Sequence, residues 1–199
     1  MIKKKKNGFT LMEMIIVLAI IIIVLVITTS IFITGNKVFS ESDAKSTLQI
    51  EAKDIQEELT KVGIQSVNIT DIEIDGIDGN DEGQYVDKEY SELDSSKING
   101  IEMQGYDRDS VYSNDGTVSN EKYYNIIYED GELKIVYDNG EYKILSKHVN
   151  SFRIVPQDIN KSFAESSSIQ FNINLHEEKA FSKVNYPISV KITFRNKNK

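Results

Sequence analysis

Glu13 has the most unusual chemical setting in the chain. It follows Gly8-Phe9-Thr10-Leu11-Met12 and opens an unbroken apolar run from Met14 to Ile27, which Ile31, Phe32 and Ile33 extend after three hydroxyl residues. An unpaired carboxylate in a membrane helix costs about 2.5–3.5 kcal/mol at the centre and less near the interface. A charge held at such a place calls for a partner. A cut after Gly8 would supply one, because the new amino group of Phe9 lies only four residues from Glu13. In the first turn of a helix the carboxylate also complements the dipole. A neighbouring chain's terminal amine could pair with it as well, which would fix axial register between subunits.

Other candidates are weaker. Asp71-x-Glu73-x-Asp75-Gly76, with Glu82 in the twelfth place, comes close to a calcium-loop spacing. Against it, the third place holds Glu, no amphipathic helix flanks the segment, and Ile72 and Ile74 look like strand residues. A solvated acidic loop is the favoured reading. His148 and His176 are the only histidines, and His176-Glu177-Glu178 lacks the second His of a zinc-protease helix. His148 reads as a hairpin-exit residue and His176 as a strand end. No phosphate loop or nucleophile elbow appears. Tyr123, Tyr124, Tyr128, Tyr137 and Tyr142 cluster as expected for sheet packing. No catalytic residue, cofactor or metal is expected, and the chain does not read as an enzyme.

The element that must position Glu13 is the apolar segment. Phe9 to Ile33 is 25 residues, roughly 37 Å as a helix, enough to cross a bilayer core. Lys3 to Lys6 precede it and acidic sequence follows, so the N-terminus is expected in the cytoplasm and the rest outside it. A secretory signal would be cut after its apolar core at a small-x-small pattern, which Thr28-Thr29-Ser30 matches poorly. A plain signal anchor leaves Glu13 unexplained.

The Lys-rich leader, Gly8, Phe9-Thr10-Leu11-Met12-Glu13 and the long apolar helix together resemble the type IV prepilin signature of pilins and pseudopilins. That resemblance implies a prepilin peptidase that cuts after Gly8 and N-methylates Phe9, with Glu13 guiding docking into the filament. It implies other pilins or minor pilins and a pilus platform protein as partners, and a route from membrane to pilus or cell surface. Many pilins kink the membrane-proximal helix at a proline. Here there is none, and Gly35-Asn36 with Thr28 and Thr29 are the expected soft points.

Beyond Asn36, Ala44, Leu48, Ala52, Ile55, Leu59 and Val62 recur at helical steps on one face. Glu41–Lys45 and Glu57–Lys61 suit i,i+4 pairing, and Gly63 reads as the stop. Residues 122–195 alternate apolar and polar positions as antiparallel strands. Asp130-Gly131 and Asn139-Gly140 suit type I′ turns between them. The expected organisation is a leader (1–8), a transmembrane or filament-core helix (9–35), an amphipathic half-helix (36–63), an acidic variable loop region (64–121) and an antiparallel sheet (122–199). The fold class is α+β: a long N-terminal helix packed on an antiparallel β-sheet head, the pilin fold. The order of pieces from Tyr128-x-x-Asp130-Gly131-x-Leu133 through Val149-x-x-Phe152 to Phe194-Arg195-Asn196 is also similar to J/W-type minor pilins and pseudopilins, including competence subunits. That second likeness implies a scarce subunit that helps begin assembly.

The totals limit the remaining functions. The chain has 199 residues, no cysteine and a net charge of -8, so thiolate metal sites and disulfides are excluded. Without the four leader lysines, 19 basic side chains stand against 31 acidic ones. Such a body repels nucleic acid, and no direct nucleic-acid binding is expected. A minor pilin of a type IV pilus is the first reading. A pseudopilin of a competence or type II-like secretion system is the alternative, and an adhesin-like or enzymatic head on a pilin anchor is the third.

Overall fold

Helix α1 runs from Leu11 to Gln65 without a break, roughly 82 Å at 1.5 Å per residue. The computed structural model describes residues 8–76, 83, 85–106, 121–179 and 182–194; the leader lysines, Glu82 and Arg195-Asn196 lie outside these. The helix passes through Gly35-Asn36 as helix. Thr28 and Thr29 turn their hydroxyls back to the carbonyls of Val24 and Leu25, at 2.8 Å each. Their polarity is thereby absorbed within the helix, and the expected soft points are continuous helix.

From Gly8 to Phe39 every residue is exposed. Burial begins at Ala44 and continues through Leu48, Ala52, Ile55, Leu59, Val62 and Gly63, the stripe that the spacing of apolar residues predicts. The charged face carries Lys53–Glu57 and Lys61–Glu58 ion pairs, so Glu57 and Lys61 each pair with a different neighbour from the one expected. The helix also outruns its predicted stop at Gly63. Ser66 caps it instead, with both its N–H and its hydroxyl directed to the Val62 carbonyl.

Eight strands follow: β1 (Ser66–Ile74), β2 (Ile98–Tyr106), β3 (Glu121–Glu129), β4 (Glu132–Tyr137), β5 (Tyr142–Ser146), β6 (Val149–Pro156), β7 (Ser168–Lys179) and β8 (Ser182–Thr193). They form two antiparallel sheets, β1-β2-β3-β4-β5 and β6-β7-β8, where the alternation of residues suggests one. The division falls at Lys147-His148. There β6 leaves β5 and pairs with β7, while the Val149 N–H reaches the Gly131 carbonyl. The segment 64–121, expected as variable loop, contributes β1 and β2. Strand β1 hides its signal because irregularities in its pairing with β2 space its buried residues Ser66, Ile69 and Ile72 by three. A regular strand would bury every second residue.

The two predicted turns differ. Asp130 and Gly131 both have positive φ, 50° and 82°, as a type I′ turn needs. At the second turn only Gly140 does, at 78°. Its N–H donates to the Tyr137 carbonyl, and Tyr137 N–H donates to Glu141, so the connection is a three-residue loop closed by a left-handed glycine. The tyrosines pack as expected in part: Tyr124 stands edge-on to Tyr137 and Tyr128 lies on Phe152, whereas Tyr142 is 66% exposed.

The helix and β8 run side by side in one direction. At the lower end Ser40 meets Ser182 at 3.1 Å, and Lys179 bridges Asp43 and Glu177 at 2.6 and 3.1 Å. At the upper end Gly63 faces Ile192. The spans match, since 23 helical steps and 10 strand steps are each about 33–35 Å. On the flank, Glu58 pairs with Lys143 of β5 at 2.9 Å, and Glu51 accepts from the Ser146 hydroxyl at 2.6 Å and lies 2.9 Å from His148 Nδ1. Both helix carboxylates thus tie α1 to the edge of the larger sheet.

A methyl group on Gly63 would sit 2.0 Å from Ile192 Cγ2. Gly63→Ala is therefore expected to destabilise the head by about 1–3 kcal/mol through overpacking. Chemical denaturation of the detergent-solubilised chain measures this, and adding Ile192→Val should recover part of the loss. An additive double mutant would show that the two positions do not meet.

The Lys143 ammonium hydrogen-bonded to Glu58 holds that carboxyl below its usual 4.5, against the opposing push of burial. The same bond holds Lys143 above its usual 10.5. Glu58 therefore contributes stability that is complete above pH 4.5 and lost as pH falls through its lower folded value. Lys143 contributes stability present below pH 10.5 and lost as pH rises through its higher folded value. Lys143 is 48% exposed, so the effect is modest. Glu58→Gln should flatten the acid limb of the unfolding midpoint below pH 4.5. Superimposable acid limbs for the two proteins would contradict the clamp.

Candidate functional site: the capped start of the apolar helix

Thr10 is the N-cap of α1, with extended backbone at φ -78° and ψ 153°. Its hydroxyl accepts from the Glu13 N–H at 3.2 Å, while Glu13 Oε2 accepts from the Thr10 N–H at 3.0 Å and from its hydroxyl at 3.2 Å. This is a capping box, in which the N-cap and the third helical residue satisfy each other's free donors. Thr10-Leu11-Met12-Glu13 is its sequence signature, a signal that was legible beforehand and that explains Glu13's position without reference to any neighbour.

The box sets the chemistry available. The Glu13 carboxylate is fixed, because two hydrogen bonds hold one of its oxygens over Thr10. Its negative charge lies at the positive end of the helix dipole. Gly8 and Phe9 lie directly before the cap, both exposed, and Phe9 is 80% exposed. The structure thus brings Gly8, Phe9 and Glu13 into one accessible helix terminus, and it places Phe9 one residue from the amide that Glu13 already grips.

Immediately beyond Glu13 the helix is apolar on all sides and has no protein cover. Ile15, Ile16, Leu18, Ile20, Ile22 and Leu25 are each more than half exposed. A soluble chain does not leave a helix of this length and composition in water. It is also the one described helix long and apolar enough to cross a membrane.

The remaining candidates are dispersed. Asp71 and Glu73 lie on β1, where Asp71 Oδ1 accepts from the N–H groups of Ile72 and Gly83, and Glu73 accepts from Asn125. The twelfth place, Glu82, lies outside the described residues. Among the described residues no group of three or more His, Asp or Glu side chains is arranged to hold a metal ion. His148 belongs to the Glu51 clamp, and His176 Nδ1 lies 2.8 Å from Asn185 Oδ1 on β8.

An exposed, capped apolar helix that carries an α+β head has the architecture of an anchored, pilin-like subunit. Comparison with protein families agrees: residues 3–29 match the model of the prokaryotic N-terminal methylation motif. That match supports a type IV prepilin- or pseudopilin-like protein, and the motif with its apolar helix supports membrane anchoring. No curated protein and no solved structure matches the chain.

Proposed function

We propose that this chain is a minor pilin of a type IV pilus, cut by a prepilin peptidase after Gly8, methylated on Phe9 and inserted into a filament with other pilins. The observation that carries this reading is the methylation motif, together with a carboxylate held at the mouth of an uncovered apolar helix. In the membrane the N-terminus faces the cytoplasm and the head lies outside. In the filament the apolar half of α1 finds the cover that the isolated chain lacks, and a platform protein at the membrane feeds subunits in. Glu13 sets axial register. Cleavage would place a positive amine on Phe9, beside the amide already bonded to Glu13, and a second subunit's amine could approach the carboxylate's other oxygen.

A pseudopilin of a competence or secretion fibre shares the same N-terminal chemistry. The described order of helix, hairpin and final strand accords with a J/W-type initiating subunit in either machine. The acidic head disfavours direct contact with DNA, which leaves a structural role within such a fibre.

Intact-mass measurement on the native protein tests the processing step. The expected species begins at Phe9 and carries one added methyl group. A chain that retains Met1 to Gly8, or one cut near Ser30, would overturn the proposal.

Glu13→Ala separates processing from assembly. The variant is expected to be processed and to remain in the membrane, with its incorporation into sheared filaments reduced or lost. Normal incorporation would remove the register role from Glu13.

A further inference from the structure

The smaller sheet turns its polar face to the solvent, and that face is concave. A cavity of about 560 Å³ is lined there by Ser151 and Arg153 of β6, Asn172 and Asn174 of β7, Ser189 of β8, and Ser96 from the segment before β2. The volume lies in the range of small-ligand sites. Register explains the arrangement. Arg153, Asn172 and Ser189 stand opposite one another across the three strands, and Ser151, Asn174 and Pro187 form the next row. The rows are about 7 Å apart and each spans about 10 Å, the footprint of one sugar ring with its substituents.

Three features give this platform a chemical bias. Among the described residues no carboxylate side chain lines it, although the chain carries 31 Asp and Glu. Arg153 is exposed and its guanidinium makes no ion pair or hydrogen bond with the described residues, so its five side-chain donors stay available. Asn172 is fixed in one orientation, because its Oδ1 accepts from Gln170 Nε2 at 2.9 Å and from the Ser189 hydroxyl at 3.0 Å. Its amide N–H groups are left to face the groove. Ser96 is partly occupied, since its hydroxyl donates to Asp94 at 2.6 Å, and it offers an acceptor.

We propose that this groove is a binding site for a carboxylate-bearing saccharide of the uronic-acid type. Arg153 would take the carboxylate in a paired, charge-assisted contact. Asn172 donates through its amide, Ser189 accepts on its remaining lone pair, and Asn174 and Ser151 both donate and accept, as ring hydroxyls require. An acidic peptide fits less well, since the face of a sheet offers it no free backbone ladder and Arg153 is the one cation among the described residues that line the groove.

The test is calorimetric titration of the full processed chain in detergent micelles with three probes: a short oligogalacturonate, its methyl ester, and an oligoglutamate peptide. Saturable binding of the acid saccharide is expected, weakened on the order of tenfold by esterification and by Arg153→Gln, as loss of one charge-assisted pair implies. Arg153→Lys should fall between, and circular dichroism should be unchanged in both variants because Arg153 is a surface residue. Absence of saturable binding, equal binding of acid and ester, or indifference to Arg153→Gln would overturn the proposal. Tighter binding of oligoglutamate would overturn it in favour of an acidic protein partner. Because the titration does not depend on filament formation, its failure is distinguishable from failure of the assembly reading.

Discussion

The head exists because one stripe of α1 is covered by β8. That strand lies along the buried half of the helix from Ser40 to Gly63, and its inward residues Val184, Ile188, Val190 and Ile192 meet the buried helix side chains in one core. At Gly63 the two come so near that a side chain there would collide with Ile192. With no disulfide available in a cysteine-free chain, this apolar contact must provide most of the attachment between helix and sheets. The larger sheet is then fastened to the flank by Glu51 and Glu58, which meet Ser146, His148 and Lys143. These polar links define where the sheet sits more than they hold it there, since partly exposed ion pairs contribute little.

The same helix uses carboxylates in two ways. Glu51 and Glu58 are satisfied by side chains from distant strands, whereas Glu13 is satisfied locally by Thr10. The local solution suits a place without tertiary cover. A capping box needs nothing beyond four consecutive residues, so the charge at the start of the apolar segment is held before any subunit contact forms. The hydroxyls of Thr28 and Thr29 follow the same logic further along, bonded within the helix to Val24 and Leu25.

What could be read in advance follows from how local each signal is. The apolar stripe from Ala44 to Val62, the strands from β3 to β8 and the Asp130-Gly131 turn repeat at fixed intervals or rest on two adjacent residues, so they are visible in one dimension. The methylation motif is contiguous and equally visible. Strand β1 shows only in Ile72 and Ile74, and β2 does not show, because irregular pairing breaks the alternation in β1, and Gly100 and Gly105 interrupt it in β2. Gly100 is small so that the Glu73 side chain can lie across it, and Gly105 so that the helix end at Gln65 can approach. The separation into two sheets depends on which strand β6 selects, a choice made by long-range packing. Gly63 shows a further limit: as a stop signal it was misread, because its use here is close approach to a residue 129 positions later. The groove around Arg153 joins three strands and the Ser96 segment, and no sequence interval announces it.

The parallel course of α1 and β8 has a mechanical consequence. A tension applied along the helix axis, as on any subunit held at its base and dragged at its head, loads the helix–strand contact in shear. Under shear the contacts from Ser40 to Gly63 share the load and must fail together. A hairpin standing across the helix would instead unzip one contact at a time. The uninterrupted hydrogen-bond ladder through Gly35-Asn36 adds to this, because it offers no slack between anchor and head. The subunit is built as a tension member, and its direction of strength is the helix axis.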